Sequence, residues 1–245
     1  MRWCCWPARA CWSVAAAVES ICDCGTVPRK EFLKKRIRKL GWFTVGGQVL
    51  FQLLVAKQLT RSSRGRISQI IRAYGLSKVE VPAADTIEVP SVNSEQCLKA
   101  MQELKPDLVI VHGTRIISKK LLQNTPALFI NIHAGITPRY RGSHGAYWAL
   151  AGGDADNCGV TVHLVDAGID TGNILAQGLI PLTPADNFAT YPVLQLAEGL
   201  RLLKNVIPQL QNGTRPVVTN TLDSALWHHP TLWGYWWTRL RKGVK

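Results

Sequence analysis

Acidic residues are scarce in this chain. Sixteen Asp and Glu stand against 29 Lys and Arg in 245 residues, a formal net charge of +13. A surplus of that size by itself suggests nucleic acid or an anionic membrane as partner. Its distribution weakens that inference: residues 29–78 hold thirteen Lys/Arg and one acid, Glu31, and so carry +12 of the +13. One subregion has a basic surface and the rest is nearly neutral. The aromatic interleaving of a single-strand binding groove is sparse there, which argues against nucleic acid.

Other absences narrow the class further. No run reaches about 18 uninterrupted apolar residues, so a spanning helix is not expected. Arg2, Trp3 to Trp12 and Val14 to Val18 loosely resemble a signal sequence, but Pro7 and Arg9 interrupt the apolar region and no clear cleavage site follows. The seven cysteines lack the pairings of known thiol sites: Cys22-Asp23-Cys24 has no two-residue gap, and no Cys/His pair stands at a structural-zinc spacing. Unpaired thiols in a cytoplasmic, reducing compartment are the expectation.

What is present suits one large α/β domain, or one domain with a modest appendage, since 47% of the residues are apolar. Val14 to Val18 reads equally as a short buried strand or a piece of helix. Pro28 is placed to open a helix, and Phe32, Leu33, Ile37 and Leu40 recur at helical spacing opposite Lys and Arg. Val49 to Leu59 resumes an apolar helical segment. This basic amphipathic pair either packs on the domain with its charges in water, or meets a membrane surface, a protein partner or an anionic substrate. From Val79 strands and helices alternate. Val79–Pro82, Glu88–Ser91, Leu108–Val111, Ala127–Ile132, Val160–Val165 and Ile174–Ile180 read as strands. Ser94–Leu104, Lys119–Leu122 capped by Ser118, Gly145–Leu150 and Tyr191–Gln211, interrupted or ended near Pro208, read as helices. The alternation predicts a layered α/β sheet, with ligands near the carboxyl ends of its strands. Trp227 to Trp237 carries four Trp, one Tyr and His228-His229. It is read as aromatic packing, with a protein or membrane interface as the alternative.

The chemistry-bearing residues cluster in two stretches. Asn131 ends a strongly apolar strand, where an unpaired polar group costs about 1–3 kcal/mol, and the two-residue period puts His133 on its face. Arg139 and Arg141 follow in a tight loop as either anion-steering residues or surface charge, and His144 comes close behind. His163 lies inside a later strand, where a core histidine is the simpler reading. Asp170 sits in a glycine-bounded turn, where an Asp commonly caps its own backbone.

The stretch Asn131-Ile132-His133-Ala134-Gly135-Ile136-Thr137-Pro138-Arg139-Tyr140-Arg141-Gly142 resembles a signature of the folate-dependent formyltransferases. That family includes glycinamide ribonucleotide, methionyl-tRNA and sugar-amine formyltransferases. Gly159 to His163 and Val165-Asp166-Ala167-Gly168-Ile169-Asp170-Thr171-Gly172 resemble a second signature. The similarity covers roughly residues 104–182. It implies a three-layer, mostly parallel Rossmann-like sheet of the formyltransferase type. It also implies formyl transfer from 10-formyltetrahydrofolate, as cosubstrate, to a small-molecule amine acceptor, with no metal required. By the same resemblance Asn131, His133 and Asp170 are the catalytic residues: Asn131 and His133 stabilise the developing oxyanion, and Asp170 orients His133 and assists proton transfer. The pterin is expected near Arg115, Ile116, Ile117, Val165 and Asp166. The acceptor is expected near Arg139, Arg141, His144 and His163.

The resemblance also frames the organisation. Residues 1–78 form a basic, partly helical N-terminal region, 79–213 the catalytic core and 214–245 a Trp-rich C-terminal extension. A Gly-rich phosphate loop after a first strand is missing, so the N-terminal unit is expected to be atypical or truncated. The segment after Leu182 is short for a tRNA-binding barrel. Glycinamide ribonucleotide or an amino sugar is the expected acceptor; water as acceptor, giving a hydrolase, and a non-catalytic interaction protein are the alternatives.

Overall fold

The computed structural model describes residues 2–5, 11–12, 21–24, 29–76, 78–79, 86–112 and 116–245. Their strands, in chain order, are β1 (Arg2–Cys5), β2 (Cys11–Trp12), β3 (Ile21–Cys24), β4 (Lys78–Val79), β5 (Thr86–Val89), β6 (Leu108–His112), β7 (Leu128–His133), β8 (Arg141–Gly142), β9 (Gly159–Leu164), β10 (Ile174–Leu179) and β11 (Leu226–Trp227). Seven of them form one sheet in the order β10-β9-β7-β6-β1-β3-β5. The pairs from β7 through β6, β1 and β3 to β5 are parallel, whereas β9 runs antiparallel to both β7 and β10. This is the mostly parallel α/β sheet that the alternation predicts.

Strand alternation divides the core between two faces. Ile130, Ile132, Val160 and Val162 are buried with Leu200, Leu203, Val206 and Ile207 of the helix Tyr191–Gln211. The odd-numbered Val109, Val111 and Phe129 pack on the other face, against Cys97 and Met101 of the helix Glu95–Leu104 and against Ile117 and Leu121. Each such aliphatic side chain contributes about 1.5–3 kcal/mol on burial. Residues 131 and 133 therefore continue the face of Phe129, beyond the end of its apolar cluster.

Several helix ends follow the expected chemistry. Ser94 Oγ accepts the Cys97 N–H and Ser118 Oγ accepts the Leu121 N–H, opening Glu95–Leu104 and Lys119–Asn124. The helix Arg64–Ala73 is held to the loop before Tyr191 by two 2.9 Å hydrogen bonds from Arg66 to the carboxylate of Asp186.

The structure corrects some expectations. β1 and β3 occupy interior positions of the sheet, so the N-terminal segment supplies strands to it instead of lacking them. Val14 to Val18 and Pro28 lie outside the described residues, as do residues 80–82 of the expected Val79–Pro82 strand. Pro208 sits inside the long helix, which runs on to Gln211. A proline removes one N–H and crowds one carbonyl, and the packed turn before it tolerates that loss. Cys97 and Cys158 are buried.

Candidate active site

The register of β7 against β9 builds the site. Asn131 stands opposite His163, and His133 opposite Thr161. Asn131 Nδ2 lies 3.2 Å from His163 Nε2. His163 Nδ1 is 2.7 Å from the Leu164 carbonyl oxygen. A carbonyl only accepts, so Nδ1 carries a hydrogen. An Asn131 N–H points to Asp170 Oδ1 at 3.4 Å.

Asp170 comes from the turn that follows β9. Its φ of 52° is left-handed, a region that costs most residues energy but that Asp tolerates. The turn is tied by Asp166, whose Oδ1 accepts the Gly168 N–H at 2.9 Å and the Thr171 hydroxyl at 2.7 Å. Gly172 is needed there because a Cβ would come within 1.7 Å of the Leu164 carbonyl oxygen. The turn brings Asp170 Oδ2 to 3.3 Å from His133 Nδ1, and the Gly142 N–H donates to the same oxygen at 3.0 Å. His163 Nε2 is 3.6 Å from Oδ1.

Both nitrogens of the buried His133 ring face oxygens. Nε2 is 2.7 Å from the Tyr140 carbonyl and must donate to it. Attraction at Nδ1 then requires a second proton, between the ring and Asp170. Burial pushes the imidazole below the ordinary histidine value, against the pull of Asp170 and the Tyr140 carbonyl. Burial also acts to raise the Asp170 carboxyl, but the His163 and His133 rings and the Gly142 N–H outweigh it and hold it below the usual carboxylate range. The ring nitrogen and the carboxylate oxygen stand 3.3 Å apart, so a proton on Nδ1 would lie between them. Beside the pair opens a cleft of about 350 Å³, lined by Thr137, Pro138, Arg141, Asp170 and residues 171–174 and 217–220.

Comparison with known proteins decides the family. The sequence profile described as formyl transferase matches residues 55–200, more than half of the chain. The chain belongs to the formyl transferase family. A methionyl-tRNA formyltransferase of Koribacter versatilis is 35% identical over 122 residues, covering 49% of this chain and 39% of that protein. One of Nitratiruptor sp. is 39% identical over 140 residues, covering 55% and 44%. The chain thus spans less than half the length of these relatives. Among solved structures, a phosphoribosylglycinamide formyltransferase from Anaplasma phagocytophilum superposes with a TM-score of 0.49 at 22% identity, over 64% of this chain and 77% of that one.

Within this chain the remaining candidates scatter. Arg141 reaches the cleft, donates to the Ile169 carbonyl at 3.1 Å and leaves its buried Nε without a partner among the described residues. Arg139 instead lies 3.5 Å from Asp154. His144 turns away from the cleft: its Nε2 is 2.9 Å from His229 Nδ1 and its ring packs 4.3 Å from Phe188. Ile116 is exposed, whereas Ile117 is buried in the core and Val165 packs at its edge, so those two present little surface to a ligand. Arg115 lies outside the described residues. Asp166 is occupied in tying the turn. Cys158 is buried and its thiol is pushed up to about 12, which makes it a poor nucleophile.

Three contributors to the site escaped sequence reasoning. The Gly142 N–H and the Tyr140 carbonyl are backbone groups that any residue type supplies, so no side chain signals them. Residues 217–220, from the segment assigned to an extension, reach the cleft because the Val218 N–H donates to the Ile174 carbonyl at 2.9 Å and Asn220 Nδ2 donates to Gln177 Oε1 at 3.0 Å. No group of three or more His, Cys, Asp or Glu among the described residues is arranged to hold a metal ion.

Proposed function

We propose that this chain transfers a formyl group from 10-formyltetrahydrofolate to a primary amine. The observation that carries the reading is the convergence of Asn131, His133 and Asp170 within 3.3–3.4 Å at the end of β7, beside an open cleft. The amine nitrogen forms the new bond to the formyl carbon and the bond from that carbon to the donor nitrogen breaks. The proton lost by the amine ends on that donor nitrogen. Negative charge gathers on the formyl oxygen in between. An Asn131 N–H is placed to face that charge, and the His133 ring, when protonated against Asp170, adds positive charge beside it. The Asn131 hydrogen bonds, 3.2 and 3.4 Å, are long, so redirecting one toward an oxyanion costs little. Asp170, held ionised by its neighbours, accepts the proton of the attacking amine directly or through water.

On this reading residues 79–213 carry the chemistry and residues 217–220 complete one wall of the cleft. Arg141, at that wall with a free Nε, suits an anionic acceptor. Glycinamide ribonucleotide and nucleotide-linked amino sugars fit that requirement. The names of the relatives add methionyl-tRNA as a third acceptor to test. Release of tetrahydrofolate from 10-formyltetrahydrofolate, followed with each acceptor in turn, tests the proposal. Turnover with one acceptor, abolished in Asp170→Asn and His133→Ala, is expected. Release without any acceptor would make the chain a hydrolase, and an absence of both release and folate binding would overturn the reading.

A further inference from the structure

The helical stretch formed by Trp42–Phe51 and Gln52–Ala56 meets the C-terminal helix Leu232–Lys242 on one side of the molecule. Phe43 stacks on Trp233 with ring centroids 4.3 Å apart. The Trp233 ring lies over Gly47, where a Cβ would come within 2.3 Å of it. Each helix keeps its inward face buried, through Val45, Phe51 and Val55 on one and Tyr235 on the other.

The outward faces are also apolar. On the first segment Trp42, Phe43, Val49, Leu50, Leu53 and Leu54 are 40–76% exposed, at positions that recur every seven and four residues. On the C-terminal helix Trp233, Trp236, Trp237 and Leu240 follow the i, i+3, i+4, i+7 spacing of one face and are 40, 47, 62 and 80% exposed. Two adjoining apolar stripes of this kind exceed the scattered exposed residues of an ordinary surface.

Charge identifies the occupant. Arg38 and Lys39 precede the first stripe by one turn, Lys57 and Arg61 continue it, and Arg241 flanks the second. Residues 226–245 contain no acid, and residues 29–78 contain one. The Arg241 guanidinium sits 4.4 Å from the centroid of the Trp237 ring, and that of Arg239 sits 5.9 Å from Trp236, so cations and aromatic rings share the same border. A second copy of this chain would bring like charges together. A bilayer bearing anionic headgroups accepts both the cations and the rings, the latter at interfacial depth. No helix among the described residues is long and apolar enough to cross it, so the contact is peripheral.

We propose that this face binds the surface of an anionic lipid bilayer. The proposal is independent of formyl transfer. The full chain is to be sedimented with phosphatidylcholine vesicles that either contain or lack phosphatidylglycerol. Binding is expected only where the anionic lipid is present, and it should weaken as salt is raised. The pair Trp237→Ser and Leu240→Ser should lower vesicle affinity by about tenfold or more. The pair Arg38→Glu and Lys39→Glu should lower it by at least about tenfold. All four positions are surface positions, and thermal unfolding of the variants checks that the fold survives. Equal sedimentation with neutral vesicles, or none with either, would overturn the proposal. So would a dimer in light scattering that Trp237→Ser dissociates, because that result would assign the face to a second copy.

Discussion

Two pairs of histidines differ in their surroundings: His133 and His163 are buried beside a carboxylate, whereas His144 and His229 are half-buried against each other. His133 and His163 face a carboxylate, that of Asp170, at 3.3 and 3.6 Å. His144 and His229 face each other at 2.9 Å, and the nearest further polar side chain is Gln52, whose Nε2 is 3.2 Å from His229 Nδ1. In the second pair burial is unopposed, and with Arg36 nearby it drives the rings down to about 3 and about 4. In the first, burial also lowers His133, but Asp170 pulls against it. The lesson is that one carboxylate, delivered by a left-handed turn, opposes at His133 the burial that acts unopposed at His144 and His229.

Removing that carboxylate is expected to have the largest effect. Asp170→Asn keeps the shape and the tolerance for a positive φ but loses the charge. Formyl transfer, read as tetrahydrofolate release, should fall by about 10²–10⁴-fold, while the midpoint of denaturant unfolding stays within a small margin. Collapse of the fold in this variant would assign Asp170 a structural role instead.

The converse change supplies the missing charge. In Gln52→Glu a carboxylate stands beside His229, and the ring should rise from about 4 by roughly 1–3 units. Titration of the imidazole protons by NMR reads this directly. An unmoved His229 would show that burial alone rules that site.

Acid stability sharpens the contrast further. His144 and His229 have folded values of about 3 and about 4 against an ordinary 6.5. Between those limits the unfolded chain binds more protons, so the contribution is complete above pH 6.5 and is lost as the pH falls toward 3. The slope is about 1.4 kcal/mol per pH unit for each proton taken up. His144→Leu should flatten the stability profile below pH 6.5 by roughly that amount, as measured by urea unfolding across the range. The smallest effect belongs to the turn itself. Asp166→Ala loses the bonds to Gly168 and Thr171 and should cost about 1 kcal/mol, with a smaller loss of turnover than Asp170→Asn.

Much of this was legible in the sequence because the signals are periodic or local. Alternation in Ala127–Ile132 fixed which face Asn131 and His133 share, and serine caps marked the starts of two helices. The glycines around Asp170 announced a turn, since a side chain at Gly172 would collide with the Leu164 carbonyl. The N-terminal strands were harder to read. Arg2–Cys5 and Ile21–Cys24 are short and mixed in composition, and their place in the sheet comes from pairing with β5 and β6. His144 was equally opaque. It lies two residues from Gly142, yet it turns toward His229, which is 85 positions away.

The sequence alone determined the alternation of strand and helix, the basic N-terminal segment and the two motifs that carry Asn131, His133 and Asp170. Those features are written in spacings of two to four residues. Only the tertiary structure decided which carboxylate meets which imidazole, that residues 217–220 wall the cleft, and that the exposed stripes of two distant helices join. Such contacts depend on strand register and helix docking, where hydrogen bonds and close packing act between residues that no local pattern connects.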